Sequence, residues 1–250
     1  DVLSLPKMDP VTFERNFVKQ MVCELRFPTA LEVEEAFPKQ LHAILKKDYP
    51  LFDRQVQVSV VGQVTRNDTA YSLQSRDKTW KLILLASRIG LECSRYRSFS
   101  EVMPRLAAAI PALREALGVD FFTRVGLRYI NRLPFEGSPE GWVRPELSAM
   151  VTHQVFGEPA TFHQLIHGRS VAGHYTLQFV RPPRQGAVSG PPEHYLDVDM
   201  YAEDVDADDA LAKVDALHDE GSRLFRWSLG EKGLAALGQA RPKPAGARDA

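Results

Sequence analysis

The segment 121–135, FFTRVGLRYINRLPF, has the strictest periodicity in the chain. Its side chains alternate with a period of two, which is the period of a β-strand. One face of this strand carries Val125, Leu127, Tyr129, Asn131 and Leu133, and the other carries Arg124, Gly126, Arg128, Ile130 and Arg132. The pattern predicts a strand with one largely apolar face and one face lined by three arginines.

Other segments predict further strands, because they alternate in the same way or are rich in β-branched residues. They are 17–27, 56–64, 69–77, 79–94, 160–168, 173–181 and 194–203. The connections between the strands predicted within 56–94 are short, with turn sites at Asn67-Asp68 and Asp77-Lys78. Short connections favour a meander of antiparallel strands.

Helical periodicity is confined to a few places. Residues 30–48 have an apolar stripe, and Pro38 within them is placed to start a second helix. A helix over 101–117 is opened by Ser100 and ended by Gly118, and a last helix is capped by Asp206 or Asp208. We therefore predict an α+β fold: a curved, mainly antiparallel sheet in two sub-blocks, with about three helices packed on one face.

The density of proline and glycine divides the chain. We predict an N-terminal arm, a first β-α-β-β-β-α-β block, a connection, a second β-β-β-α block in the same domain, and a disordered tail. Their ranges are 1–16, 17–135, 136–159, 160–237 and 238–250.

Charge and cysteine content exclude several classes of protein. The 31 Lys and Arg residues balance 32 Asp and Glu residues, so the net charge of −1 gives no bulk attraction to nucleic acid or anionic lipid. The two cysteines cannot form a disulfide scaffold or a four-cysteine zinc site. Cys23 and Cys93 lie in apolar segments, which predicts buried free thiols.

Targeting and cofactor motifs are not found in the sequence. No apolar run approaches the ~18 residues of a membrane helix, and no signal peptide is visible, which predicts a cytoplasmic protein without a membrane partner. Phosphate-loop, dinucleotide-binding and nucleophile-elbow motifs do not occur. We expect no cofactor and no metal site.

The arginine face of the strand at 121–135 is the main candidate for a binding site. Arg124, Arg128 and Arg132 are spaced four apart, and a guanidinium is a rigid fork suited to a carboxylate or a phosphate. If this face opens into a concavity, the row could hold an anionic ligand. The alternative is that the arginines pair with acidic residues such as Glu24 and Glu92 on neighbouring strands.

A second group of polar residues offers candidates for acid/base or metal chemistry. These are His163, His167, His174, Asp197 and Asp199, all on strands predicted in the second block. Their spacing matches no known metal signature, and histidines or aspartates on a solvated sheet face are ordinary. The adjacent His218 and Asp219 in the last helix are predicted to be an exposed pair, because neighbouring helical residues point about 100° apart.

Three segments resemble a sporadically distributed, uncharacterised family of bacterial and archaeal proteins of about this length. They are Glu24-Leu25-Arg26-Phe27, the run from Arg124 to Arg132, and Leu217-His218-Asp219 followed by Phe225. Members open with an Asn-Pro-Pro-like segment, where this chain reads DPVTFERNFV. The resemblance brings no established activity. It draws attention to Arg124, Gly126, Arg128, Asn131 and Arg132. Together with Arg26, these are our candidate ligand-binding residues.

Three hypotheses for the function follow. The first is a non-catalytic binding or accessory protein of a multi-component bacterial system, which recognises a protein, a peptide, a small anionic ligand or a second copy of itself through the arginine face. The second is a metal-dependent or acid/base hydrolase of a phosphorylated or nucleotide substrate. The third is a nucleic-acid-binding component of a defence system using Arg95, Arg97 and the arginine strand, which the charge balance ranks last.

Overall fold

The computed structural model describes residues 1–8, 11–61, 64–183 and 193–238, and the side chains of 56–68 lie outside this description. Nine strands occur in the described part of the chain. They are β1 (Val18–Arg26), β2 (Leu51–Val61), β3 (Val64–Gln74), β4 (Trp80–Leu85), β5 (Arg88–Cys93), β6 (Phe121–Leu133), β7 (Phe162–Arg169), β8 (His174–Arg181) and β9 (His194–Asp206).

All nine strands form one antiparallel sheet in the order β2-β3-β4-β5-β1-β6-β9-β8-β7. The predicted α+β class with an antiparallel sheet is confirmed. The strands before and after the connection at 136–159 form the two halves of the sheet, and the pairing of β6 with β9 joins the halves without a break. The long strand β6 therefore lies near the middle of the sheet, between β1 and β9.

One predicted turn and one predicted strand differ from the structure. Asn67 and Asp68 lie inside β3, where they pair with Val58 and Gln57, so the predicted turn there is wrong. The segment 79–94 is a hairpin rather than a single strand, because a tight turn at Ala86-Ser87 separates β4 from β5. The turn was not recognised because the segment is long and mostly apolar.

Six α-helices lie in the described residues, where about three were predicted. They are α1 (Leu31–Glu35), α2 (Lys39–Leu45), α3 (Met103–Leu117), α4 (Pro145–Thr152), α5 (Ala210–Ser228) and α6 (Glu231–Leu237). Pro38 precedes α2 and separates it from α1, and Gly118 ends α3 in the left-handed conformation, with φ of 63°. The N-cap of α5 is Asp209, whose side chain makes no capping bond, so the predicted caps Asp206 and Asp208 are wrong.

The core lies between the helices and one face of the sheet. Each α-helix contributes to the same buried apolar cluster, which also contains Val125, Leu127 and Leu133 of β6. Cys23 and Cys93 are buried in it as free thiols, as predicted, and burial raises the pKa of Cys23 to about 12. The described helices thus leave the other face of the sheet, which carries Arg124 and Arg128, uncovered. No helix in the described part of the chain is long and apolar enough to cross a membrane.

Candidate functional site

The uncovered face of the sheet brings the predicted arginines together with carboxylates from neighbouring strands. The register sets Arg128 opposite Val22 of β1 and Asp199 of β9, so these three residues share a face. By the same register, Glu24 and Asp197 also lie on this face. The arginines of β6 are therefore flanked by acidic residues on both sides.

Glu24 binds three arginines from three strands. Arg26 Nε donates to its Oε1 at 2.6 Å, and Arg124 donates to the same oxygen at 3.3 Å. Arg88 of β5 donates to Oε2 at 3.4 Å. The prediction that Glu24 could pair with the arginine row is confirmed, whereas Glu92 makes no ion pair with any described residue.

Arg124 continues from Glu24 to Asp199. Its Nη2 donates to both carboxylate oxygens of Asp199, at 3.1 and 2.9 Å, and its guanidinium lies 4.7 Å from the centre of the Tyr201 ring. Burial raises the pKa of Asp199, and Arg124 beside it acts in the opposite direction. The Glu24–Arg124–Asp199 chain thus crosses three adjacent strands.

Gly126 lets Arg124 lie flat on the sheet. A Cβ built at Gly126 would be 2.7 Å from Cζ of Arg124, which is closer than real Cβ contacts. A glycine in a strand can permit the close approach of a backbone or a ligand, but here the neighbouring guanidinium occupies that space. Gly126 therefore positions Arg124.

Arg128 forms a bidentate pair with Asp197. Its Nε donates to Oδ1 at 2.9 Å, and its Nη2 donates to Oδ2 at 2.5 Å. Gln178 of β8 adds a weaker bond to Oδ2 at 3.4 Å. Hydrogen bonding to Asp197 raises the pKa of Arg128, so this guanidinium stays charged at every accessible pH.

Arg132 ends the row in a cluster around Glu193. Arg132 Nη2 lies 2.9 Å from Glu193 Oε1, and the Tyr195 hydroxyl donates to the other oxygen of Glu193. Lys19 donates to the Tyr195 hydroxyl at 2.8 Å. Hydrogen bonding from Tyr195 lowers the pKa of Glu193, so its carboxylate is ionised at neutral pH.

In three of the ion pairs on this face, the arginine side chain is more exposed to solvent than its carboxylate. The side chain of Arg128 is 44% exposed above an Asp197 that is 8% exposed, and Arg26 is 49% exposed above a Glu24 that is 20% exposed. Arg132, at 56%, is likewise more exposed than Glu193. In these three pairs the guanidinium is more exposed than the carboxylate that holds it. Arg124 is the exception, because at 17% it is as shielded as Glu24 and Asp199.

Asn131 lies on the opposite face from the arginines. It is buried, and its amide nitrogen donates to the carbonyl oxygens of Tyr129 and Leu196 at 3.2 and 3.1 Å. It therefore has no contact with the row and supports the pairing of β6 with β9.

The histidines and aspartates of the second block share the uncovered face but do not bond to one another. His163 bonds to Gln178 at 2.7 Å, and His167 bonds to Thr176 at 2.9 Å. His174 stacks on Tyr201 with ring centres 5.0 Å apart. Both aspartates are paired with arginine, and no group of three or more His, Cys, Asp or Glu in the described residues is arranged to hold a metal.

Arg95 and His218 have structural contacts that the sequence did not indicate. Arg95 donates to the Asp77 carbonyl and to the Thr79 hydroxyl, so it braces the turn before β4. His218 faces the sheet, where its Nδ1 is 2.9 Å from the Tyr129 hydroxyl. His218 is half-buried and Asp219 is exposed, so the prediction of an exposed pair is wrong for the histidine.

The sequence analysis did not identify Glu193 and Tyr195 as partners of the arginine row. Glu193 directly precedes β9 and follows a proline- and glycine-rich stretch, so it falls between the strands predicted at 173–181 and 194–203. The alternation of β9 places Tyr195 on the face of Asp197 and Asp199, and this alternation was the sequence signal that could have identified it.

No protein-family model matches the chain, and no curated protein matches it significantly.

Proposed function

We propose that this chain is a non-catalytic binding protein whose uncovered sheet face contacts an acidic surface of a protein partner. The observation that carries the proposal is the set of exposed guanidiniums of Arg26, Arg128 and Arg132, each held by a less exposed carboxylate. Donors held in place before binding lose little conformational entropy when a partner arrives. The setting in a multi-component bacterial system, and membership of the family that the sequence resembles, are proposed on that resemblance alone.

The geometry favours a macromolecule over a small anion. Arginines four residues apart on a strand are separated by about 14 Å along the backbone. Each guanidinium of the row already has its own carboxylate, so no two of them converge on one site. The row spans about 27 Å, a length that suits an extended protein surface.

The same arrangement favours protein over nucleic acid. Glu24, Asp197, Asp199 and Glu193 lie among the arginines, and they would repel a continuous phosphate backbone. A protein surface can place a carboxylate over each exposed guanidinium and a donor over each exposed acid. Alternating charge is therefore complementary to a protein and fixes the orientation of docking.

Site-specific crosslinking tests where the partner binds. The photoreactive residue p-benzoylphenylalanine is placed at Leu165, which is exposed on the uncovered face two strands from Asp197. The matched control carries it at Ala216, which is exposed on helix α5. After irradiation in host cells, we expect one protein to be crosslinked from Leu165 and not from Ala216.

The identity of the crosslinked protein separates the hypotheses. A protein whose crosslinked segment is rich in Asp and Glu supports the proposal. A second copy of this chain as the only product would make the face a homodimer interface. The same protein crosslinked equally from Leu165 and Ala216, or no product from Leu165, would overturn the assignment of this face.

A further inference from the structure

A cleft of about 780 Å³ lies on the helix-covered side of the sheet, away from the arginine row. Its floor is formed by Tyr129, Asn131 and Val198, and helix α5 forms one wall. The opposite wall consists of residues 11–16 of the arm together with Tyr96 and Arg97. Two of the segments that carry the family resemblance, on β6 and α5, thus meet in one cleft.

Hydrogen bonds from residues 14–16 hold the arm in place as a wall of the cleft. The backbone N–H groups of Glu14 and Arg15 donate to the carbonyls of Gly238 and Leu237, at 3.1 and 3.0 Å. Asn16 donates its side-chain amide to the Tyr96 carbonyl at 3.2 Å, and Phe17 packs edge-on against Phe225. The cleft therefore has fixed walls, and its volume is in the range of pockets that bind drug-sized molecules.

The interior of the cleft combines apolar walls with an uncharged polar floor. Val11, Phe13, Val18 and Phe225 line it with apolar surface. His218 of α5 meets Tyr129 at the floor of the cleft. Burial lowers the pKa of His218 and raises that of Tyr129, so both side chains are neutral at pH 7.

His218 is held rigidly on this floor. Its ring stacks on Phe99 at 3.7 Å between centres, and its Nδ1 is bonded to Tyr129. Its Nε2 has no hydrogen-bond partner among the described residues. One ring nitrogen is thus left for a polar atom of a ligand.

The rim of the cleft supplies positive charge. Arg15, Arg97 and Arg223 border it, and none of them forms an ion pair with a described residue. This sets them apart from Arg124, Arg128 and Arg132 of the sheet face, each of which is paired with a carboxylate. Glu14 and Asp219 also border the cleft, so unpaired guanidiniums outnumber the carboxylates there.

We propose that this cleft binds a small organic anion, whose apolar body lies against Phe13, Val198 and Phe225 and whose acidic group meets the rim arginines. The volume admits one such molecule. A carboxylate, sulfonate or phosphate supplies the charge that the rim lacks, and guanidinium bonds to such groups are among the stronger ones in proteins. The proposal is independent of the partner on the sheet face.

A pair of fluorescent probes tests this proposal on the full chain. Anilinonaphthalene sulfonate has an aromatic body with an anionic group, and N-phenylnaphthylamine has the same body without it. We expect saturable binding of the sulfonate with one molecule per chain. In the double variant Arg97→Ala/Arg223→Ala, binding of the sulfonate should weaken by about tenfold, while binding of the neutral probe should change by less than about twofold.

A blocking variant and two controls locate the binding. Ser222→Trp places a large ring from an exposed position of α5 into the cleft and should weaken both probes by about tenfold or more. Arg76→Ala, at an exposed arginine of the β3–β4 turn, and the charge-neutral double variant Arg128→Gln/Asp197→Asn on the sheet face should both bind like the wild type. Melting curves confirm that each variant is folded.

The opposite results would overturn the proposal. Sulfonate binding that survives Ser222→Trp lies outside the cleft. Equal loss of both probes in the double arginine variant means that the rim does not recognise the charge. Sulfonate binding that is lost in a folded Arg128→Gln/Asp197→Asn variant belongs to the sheet face.

Discussion

At the residue scale, Gly126 and Arg124 act as a unit on the uncovered face. The guanidinium of Arg124 occupies the space that a side chain at position 126 would need, and from there it reaches both Glu24 and Asp199. Because Asp199 is largely shielded from solvent and pairs only with Arg124 among the described residues, losing this arginine leaves its charge without an ion-pair partner. Glu24 keeps Arg26 and Arg88.

Gly126→Ala is therefore expected to destabilise the fold. The new methyl group displaces Arg124, and we expect the free energy of unfolding to fall by about 1–3 kcal/mol. Urea denaturation measures this change. The matched control is Gly90→Ala on β5 of the same face, where a Cβ meets nothing within 4 Å. Equal loss in both variants would contradict the positioning role of Gly126.

The buried side chain of His194 links the stability of the fold to pH. It is fully buried and stacks on Phe135 with ring centres 4.4 Å apart. Neither ring nitrogen has a hydrogen-bond partner among the described residues. Burial is the main reason that its pKa is lowered from 6.5 to about 4.

The sign of the pH effect follows from the lowered pKa. The unfolded chain takes up a proton near pH 6.5, while the folded chain resists it until about pH 4. Stability from this group is therefore present above pH 6.5 and is lost as the pH falls to 4, by about 3 kcal/mol.

His194→Phe should remove most of this pH dependence. Phenylalanine fits the stack with Phe135 and carries no nitrogen to protonate, so denaturation curves at pH 4.5 and pH 7 should move closer together. A smaller slope should persist from His218, whose pKa burial also lowers. Replacement of the exposed His163 by Gln is the control. An unchanged slope in His194→Phe would contradict the account.

At the element scale, local periodicity determined most of what could be predicted. Strands β1, β6, β8 and β9 follow from alternation, and α3 follows from its stripe and its glycine cap, because these patterns depend on neighbouring residues. The β4–β5 turn could not be predicted because Ala86-Ser87 has no turn signature. The pairing of β6 with β1 and β9 depends on contacts that are distant in sequence, so the partners of the arginine row were only partly predictable: Glu24 was foreseen and Glu193 was not.

Helix α3 contains a proline that tests the balance between local and tertiary terms. Pro111 lies in its interior and is exposed, so it removes one backbone hydrogen bond without a packing benefit. Pro111→Ala should raise the free energy of unfolding by about 1–2 kcal/mol, after allowance for the more flexible unfolded chain.

A second proline of α3 provides the control. Pro104 lies in the first turn, where the N–H group has no helical partner, so Pro104→Ala should give no gain. Thermal or urea denaturation compares the two variants. A gain in Pro104→Ala that equals the gain in Pro111→Ala would show that the interior position is not strained.

At the scale of the whole molecule, one sheet separates two surfaces of different chemistry. The face without helices presents arginines paired with carboxylates. The other side contains the cleft beneath α5, where Arg15, Arg97 and Arg223 form no ion pair with a described residue. Charge in this chain is balanced in total but is distributed unevenly over these surfaces. This distribution explains how a chain of net charge −1 can present local sites for acidic groups.

Salt should weaken the interaction of the sheet face with its partner. Exposed guanidiniums interact with acidic groups over distances comparable to the Debye length, which is about 8 Å at physiological ionic strength and about 3 Å at 1 M salt. The association rate should fall steeply over this range, and the dissociation rate should change less. Surface plasmon resonance with the crosslinked partner measures both rates, and rates that do not depend on salt would contradict an electrostatic contact.

The affinity of the purified partner for variants of the Arg128–Asp197 pair tests the central claim most directly. Arg128→Ala would leave the shielded Asp197 without its counter-ion and could unfold the chain. The double variant Arg128→Gln/Asp197→Asn removes both charges and avoids this problem. Isothermal titration calorimetry should show at least a tenfold higher Kd for the double variant than for wild type, and an unchanged Kd for Arg76→Ala. Equal Kd values for the wild-type chain and a folded double variant would show that the arginine face does not bind the partner.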